Sequence, residues 1–172
     1  MLHGRQAALV AETLRASLAA AAASTADQGL AQAFSGAASL LSRHTADGRS
    51  PHPALPAAGA TVTRTLPVTK EDTATAMGHP DPAVAVLGSP RIALWFEVVA
   101  SALLPEPAPD LTHVGAGILV HHVGRADVGE EVTVRATAEA TSGRRVTFSC
   151  AATAGSRLIA LGTHQRVLQE RR

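Results

Sequence analysis

Two spacings of apolar positions divide the chain. Residues 5–23 place Leu9, Val10, Leu14 and Leu18 at helical intervals among strong helix formers. Thr25-Ala26-Asp27-Gln28 then reads as a capping box, and Leu30, Phe34, Ala37 or Ala38 and Leu41 make one face of a second helix. The pattern predicts a helical hairpin over residues 1–46. Residues 47–59, with Pro51, Pro53 and Pro56, read as a linker. Residues 60–170 then change character and predict one α+β domain.

Within that domain Ala60 to Leu66 alternates as a strand, Thr69 to Met77 suits a short helix, and residues 78–88 form a loop. Ser89-Pro90 opens a longer helix, with Ser89 as N-cap and Pro90 as the first helical residue. It runs to about Leu104 and is stopped by Pro105. Its apolar residues occupy nearly every side, which predicts burial all round. Four strands follow, over about 112–123, Glu131 to Thr141, Arg144 to Thr153, and Arg157 to about Leu168. Turns at Ser142-Gly143 and Gly155-Ser156 are short, so the strands form an antiparallel meander curled over the helix.

Composition narrows the function classes. Hydrophobic residues make up 46% of the 172 and charged residues 17%, which suits a packed core rather than a disordered chain. Aromatics are 2% with no Tyr, so Ala, Val and Leu must fill that core. The net charge is +1, with neither a basic stripe nor stacking aromatics, which argues against a nucleic-acid partner. Cys150 is the single cysteine, so no internal disulfide forms, and a cytoplasmic location is expected. No apolar run reaches membrane-span length, and Glu12 and Arg15 interrupt the N-terminal tract, which reads as a soluble helix rather than a leader. His3, His44, His52, His79, His113 and His164 lack metal-ligand spacing. Gly115-Ala116-Gly117 is no dinucleotide motif. Neither metal nor cofactor is expected.

Three residues stand out as candidate chemistry. Glu97 sits in the middle of the apolar helix, where a carboxylate needs a polar pocket, an interface or a cation. A structural pair with an arginine satisfies that need as well as catalysis does. His121 and His122 are strand neighbours and point to opposite faces, so one of them faces the helix. Ser89 has a plain role as a helix cap, and the helix N-terminus beside it suits a developing oxyanion.

Residues 60–170 resemble the fluoroacetyl-CoA-thioesterase-like branch of the hot-dog superfamily. The matching stretches are Leu87-Gly88-Ser89-Pro90 followed by Glu97, Val114-Gly115 with His122, Val128-Gly129 and Val132-Thr133-Val134. Gly143 to Phe148 and Gly162-Thr163-His164-Gln165-Arg166 match too. The family pattern has a hydroxyl residue, a Glu eight residues on, and a His seven after a Gly; here 97 − 89 = 8 and 122 − 115 = 7. The second spacing selects His122 over His121. The resemblance implies a hot-dog fold, an antiparallel sheet wrapped around a long central helix, here with the N-terminal hairpin added. It also implies a homodimer with shared sites, catalysis by Ser89, Glu97 and His122, and Gly88, Pro90 and Gly115 beside the substrate. The substrate class is an acyl-CoA or an acyl-carrier protein. Ser89 stands where the family has Thr, and Arg125-Ala126-Asp127 where it has a Pro-Thr-Pro-like segment. Residues 71–86 contain none of the aromatics that form a lid in fluoroacetate-specific members. The alternatives are a hot-dog dehydratase or hydratase, whose Asp-and-His motif is missing here, and a non-catalytic acyl-thioester-binding dimerisation module.

Overall fold

The computed structural model describes residues 49–171, and the helical hairpin expected over 1–46 lies outside the described residues. Five strands and one α-helix make up the described domain: β1 (Thr61–Pro67), α1 (Ser89–Ser101), β2 (Leu111–His122), β3 (Glu131–Ser142), β4 (Arg145–Ala154) and β5 (Arg157–Glu170). All pairings are antiparallel, in the order β1-β3-β4-β5-β2, which leaves β2 at one edge. The sheet packs around α1, as the hot-dog resemblance implies. Two-residue turns join β3 to β4 and β4 to β5. Each uses a glycine in the left-handed region, Gly143 at φ 53 and Gly155 at φ 56, where a side chain would be strained.

Alternation along β3 sorts its residues as the sequence predicts. Val132, Val134, Ala136 and Ala138 are all 0% exposed and face the helix with Val146, Phe148 and Cys150 of β4. From α1, Ile92, Trp95, Phe96 and Val99 complete this core. The side chains are mostly small, so sheet and helix approach closely without large aromatics. Cys150 lies in this layer; burial first, and Glu139 second, push its thiol up to about 12. Residues 49–59 lie against the domain. His52 N–H donates to the Gly143 carbonyl at 2.7 Å, Gly59 N–H to that of Ala138 at 2.8 Å, and Leu55 enters the core.

Four local expectations are corrected. The short helix expected over Thr69 to Met77 is a 3-10 turn at Lys70–Asp72 followed by turns. The Asp72 carboxylate accepts the Thr69 N–H and hydroxyl at 2.8 and 2.7 Å, and Thr73 then bridges to Leu87, which draws the chain straight. The N-cap of α1 is Gly88, not Ser89. A Cβ at Gly88 would sit 3.2 Å from Ala74 backbone atoms and from the Met77 sulfur, so the cap position has little room for a side chain. Nor is α1 buried all round: Leu94 and Val98 are 45% and 47% exposed on one face. The helix also ends earlier than expected, at Ser101, whose hydroxyl donates to the Glu97 carbonyl at 2.7 Å. Leu103 and Leu104 fold back onto the core.

Candidate active site

With Gly88 as cap, the Ser89 hydroxyl is released from backbone duty. Its Oγ lies 3.0 Å from His122 Nδ1. This contact joins the first residue of α1 to the last residue of β2. Strand alternation puts His122 on the helix side, opposite Ala160, whereas His121 pairs with Leu161 and faces away. Loop hydrogen bonds fix the start of the helix: Gly88 N–H donates to the Asp72 carbonyl and Leu87 N–H to that of Ala126, both at 2.9 Å. Arg91, in the first turn of α1, pairs with Asp72 at 2.7 Å. Pro90 is in that first turn, beside Ser89.

Glu97 is two turns further along α1. Its Oε1 accepts from Arg166 Nη1 at 2.5 Å, and Arg166 Nη2 donates to the His113 carbonyl at 3.2 Å. The cation that the helix position called for is therefore an arginine on β5. The Glu97 side chain still keeps 42% exposure, against 12% for Arg166. Gly115 makes room for this pair. A Cβ there would be 3.3 Å from Glu97 Oε1 and 3.8 Å from both Arg166 Nη1 and His164 Cε1. Eight residues of helix rise about 12 Å, so within one chain Ser89 and Glu97 sit at separate stations. The structure brings Ser89, His122, Gly88 and Pro90 together at one end of α1, and Glu97 with Gly115 further along it.

Arg166 and His164 are the residues that sequence reasoning passed over. Both fall in a stretch quoted for the family resemblance, but neither was given a role. Their signal is a period of two: residues 164 and 166 share the helix-facing side of β5, opposite Ile118 and Gly115. His164 is 2% exposed and stacks on Phe148, with ring centroids 6.3 Å apart. Among the described residues no group of three His, Cys, Asp or Glu could hold a metal ion. No described helix is long and apolar enough to cross a membrane.

Burial lowers the pKa of His113, His122 and His164 below the ordinary 6.5. Backbone hydrogen bonding, to Pro105, Gly124 and Gly117 respectively, opposes the shift, as does the Glu97 charge at His164. A histidine with a depressed folded pKa takes its proton later than the unfolded chain does as pH falls. Its contribution to stability is therefore present above about 6.5 and is lost as pH drops from there through the folded pKa values. The expected result is a melting temperature that holds between pH 8 and 7 and declines from pH 6.5 to 5. A scanning-calorimetry series checks it, and a flat profile would contradict the assigned burial.

Comparison with known proteins bears on fold and family. Residues 68–172 match the family model described as fluoroacetyl-CoA-specific thioesterase. A structure of a variant of the fluoroacetyl-CoA-specific thioesterase FlK in complex with fluoroacetate and CoA is 25% identical, with a TM-score of 0.60 over 66% of this chain and 94% of that one. A hot-dog-like protein from Thermanaerovibrio acidaminovorans is 22% identical, with a TM-score of 0.61 over 67% and 84% of the two chains. A thioesterase-superfamily protein from Thermus thermophilus is 24% identical, with a TM-score of 0.59 over 66% and 84%. These last two similarities carry the hot-dog fold. No curated protein matches the sequence.

Proposed function

The chain belongs to the fluoroacetyl-CoA-specific thioesterase family, and on that premise we propose that it hydrolyses acyl thioesters at a site built from Ser89, Glu97 and His122 and shared between two copies. The observation that carries the reading is the Ser89 Oγ to His122 Nδ1 contact of 3.0 Å at the mouth of the central helix. Hydrolysis needs a water, a base, and donors for the oxyanion. Glu97, paired with Arg166, is the base or attacking carboxylate; His122 orients the site and gives a proton to the departing thiolate. Ser89 and the N–H groups at the start of α1 face the forming oxyanion, with Gly88, Pro90 and Gly115 lining the approach. This chemistry requires no metal or cofactor. The substrate is an acyl-CoA or an acyl-carrier protein, and the absence of aromatics from residues 71–86 argues against fluoroacetyl-CoA.

A second reading is supported by the corrected cap: a free Ser89 hydroxyl beside an imidazole is also a nucleophilic pair, with Glu97 as an orienting group. A panel of acyl-CoAs and an acyl-carrier protein, followed by released thiol and by the mass of the acyl product, tests the reaction. Thiol release supports a thioesterase. An altered acyl chain with the thioester intact supports a dehydratase or hydratase, and binding without turnover supports a non-catalytic module. The hot-dog domain over 60–170 is proposed to carry the whole site, with 47–59 as connector and 1–46 as an appendage. A cytoplasmic location is proposed with it.

The rise of about 12 Å along the helix between Ser89 and Glu97 motivates the two-copy site. Leu94 and Val98 lie on the face of α1 that includes half-exposed Glu97, and Ile118 of edge strand β2 is 44% exposed. An antiparallel second α1 across a two-fold axis covers these apolar groups and carries Ser89 of one copy towards Glu97 of the other. Replacing Val98 with Arg is expected to halve the mass seen by light scattering at micromolar concentration and to abolish most thiol release. A wild-type chain that is monomeric and fully active would remove the shared site.

A further inference from the structure

Hydrogen bonding around Glu97 does not close among the described residues. His164 Nδ1 lies 3.2 Å from the Gly117 carbonyl oxygen, which can only accept. The ring proton is therefore on Nδ1, and Nε2 presents a lone pair. Burial lowers the pKa of this ring, which keeps it neutral. That Nε2 is buried and has no hydrogen-bond partner among the described residues. Arg166, two residues along the same strand face, spends Nη1 on Glu97 and Nη2 on the His113 carbonyl. Its Nε–H is likewise buried and without a partner among the described residues. The side chains that carry this acceptor and this donor are neighbours at Gly115, where an added Cβ would lie 3.8 Å from both His164 Cε1 and Arg166 Nη1 and 3.3 Å from Glu97 Oε1. Leaving a buried polar group unmet is costly, so native structures rarely do so without a use. One O–H group meets both needs, donating to the imidazole nitrogen while accepting from the guanidinium. A water does this and keeps a second hydrogen for Glu97.

Resting on the thioesterase reading, we propose that His164 is a positioning residue that, together with Arg166, holds the hydrolytic water against the Glu97 carboxylate. The Arg166 N–H and the His164 lone pair fix the orientation of the water, and Glu97 takes its proton. The water oxygen bonds to the thioester carbonyl carbon. The carbon–sulfur bond then breaks with its electron pair on sulfur, and the thiolate takes up a proton. The carboxylic acid product loses its own proton to solvent. His164 never touches the acyl group in this scheme, so its removal acts on water placement rather than on substrate affinity.

The test compares His164→Phe with His164→Gln in the full chain. Phe preserves bulk and stacking on Phe148 but removes the acceptor, whereas Gln retains an acceptor oxygen. Misplacing a reacting group by about 1 Å lowers rate by about 10²-fold. For His164→Phe the expected result is a kcat loss of about that size with unchanged KM and melting temperature. A larger share of acyl product should also be captured by added hydroxylamine as hydroxamate. His164→Gln should recover most of the loss. Wild-type kcat and hydroxamate share in His164→Phe would overturn the proposal. So would equal losses in both variants that track a fall in melting temperature. If the wild-type chain releases no thiol from any acyl thioester, the thioesterase reading fails and takes this proposal with it. If Glu97→Ala is inactive while His164→Phe is unimpaired, the water-holding role fails alone.

Discussion

Glu97→Ala is expected to lower thiol release by about 10²–10⁴-fold with the fold intact, the usual consequence of removing a positioned acid or base. The fold should survive because the Glu97 carboxylate is not in the sealed core: its side chain is 42% exposed and touches the domain through Arg166. The truncation has a second effect that separates catalysis from structure. Arg166 loses the partner of Nη1 but keeps the His113 carbonyl on Nη2. With Glu97 42% exposed and Arg166 12% exposed the pair is only partly buried, so the truncation should lower the melting temperature modestly while the rate falls steeply. Near-normal turnover of the best substrate in Glu97→Ala would overturn the site assignment. A large loss of melting temperature alongside the rate would mean that the pair is structural.

His122→Ala should fall in the same range of about 10²–10⁴-fold, and His121→Ala should do far less, since the two rings face opposite sides of β2. Ser89→Ala decides between the two mechanisms. If Ser89 only hydrogen-bonds in the site, its loss is mild, on the order of one neutral hydrogen bond, or roughly tenfold. If Ser89 attacks the carbonyl, its loss is as severe as that of His122. Rates for the three single variants and for the Ser89→Ala, His122→Ala pair give the answer. A pair no worse than either severe single variant marks a unit acting together. Equal activity of His121→Ala and His122→Ala would show that the strand register places neither ring in the site.

Much of the fold was legible from periodicity because the buried positions Val132, Val134, Ala136 and Ala138 of β3 and Val146, Phe148 and Cys150 of β4 recur at every second residue. The central helix was legible from its unbroken apolar run. Where the reading failed, longer-range contacts outweighed local preference. Ser89 is a better cap than Gly88 by propensity, yet Ala74 and Met77 crowd position 88 and leave the cap to glycine. Thr69 to Met77 suits a short helix, but the bridge of Thr73 to Leu87 interrupts it after a single 3-10 turn. The exposed Leu94 and Val98 look like core in sequence because apolar composition alone does not tell an exposed apolar face from a buried one. Glu97 and His122 were visible as a misplaced charge and a paired spacing. Arg166 and His164 were not, because only the register between β2 and β5 sets them beside Gly115.

Cys150 has a practical bearing on all these measurements. Activity is read as the appearance of a thiol, and a reactive protein thiol would add a background that changes with each variant. Here the single sulfur faces the helix at 3% exposure, and its ionisation is pushed up to about 12, so at neutral pH it carries almost no thiolate. The folded enzyme is therefore blank to a disulfide reagent, and each equivalent of colour counts one turnover. The same sulfur doubles as an internal alarm. A variant that shows a stoichiometric burst of thiol before any substrate is added has opened its core, and its lost activity then says nothing about the site.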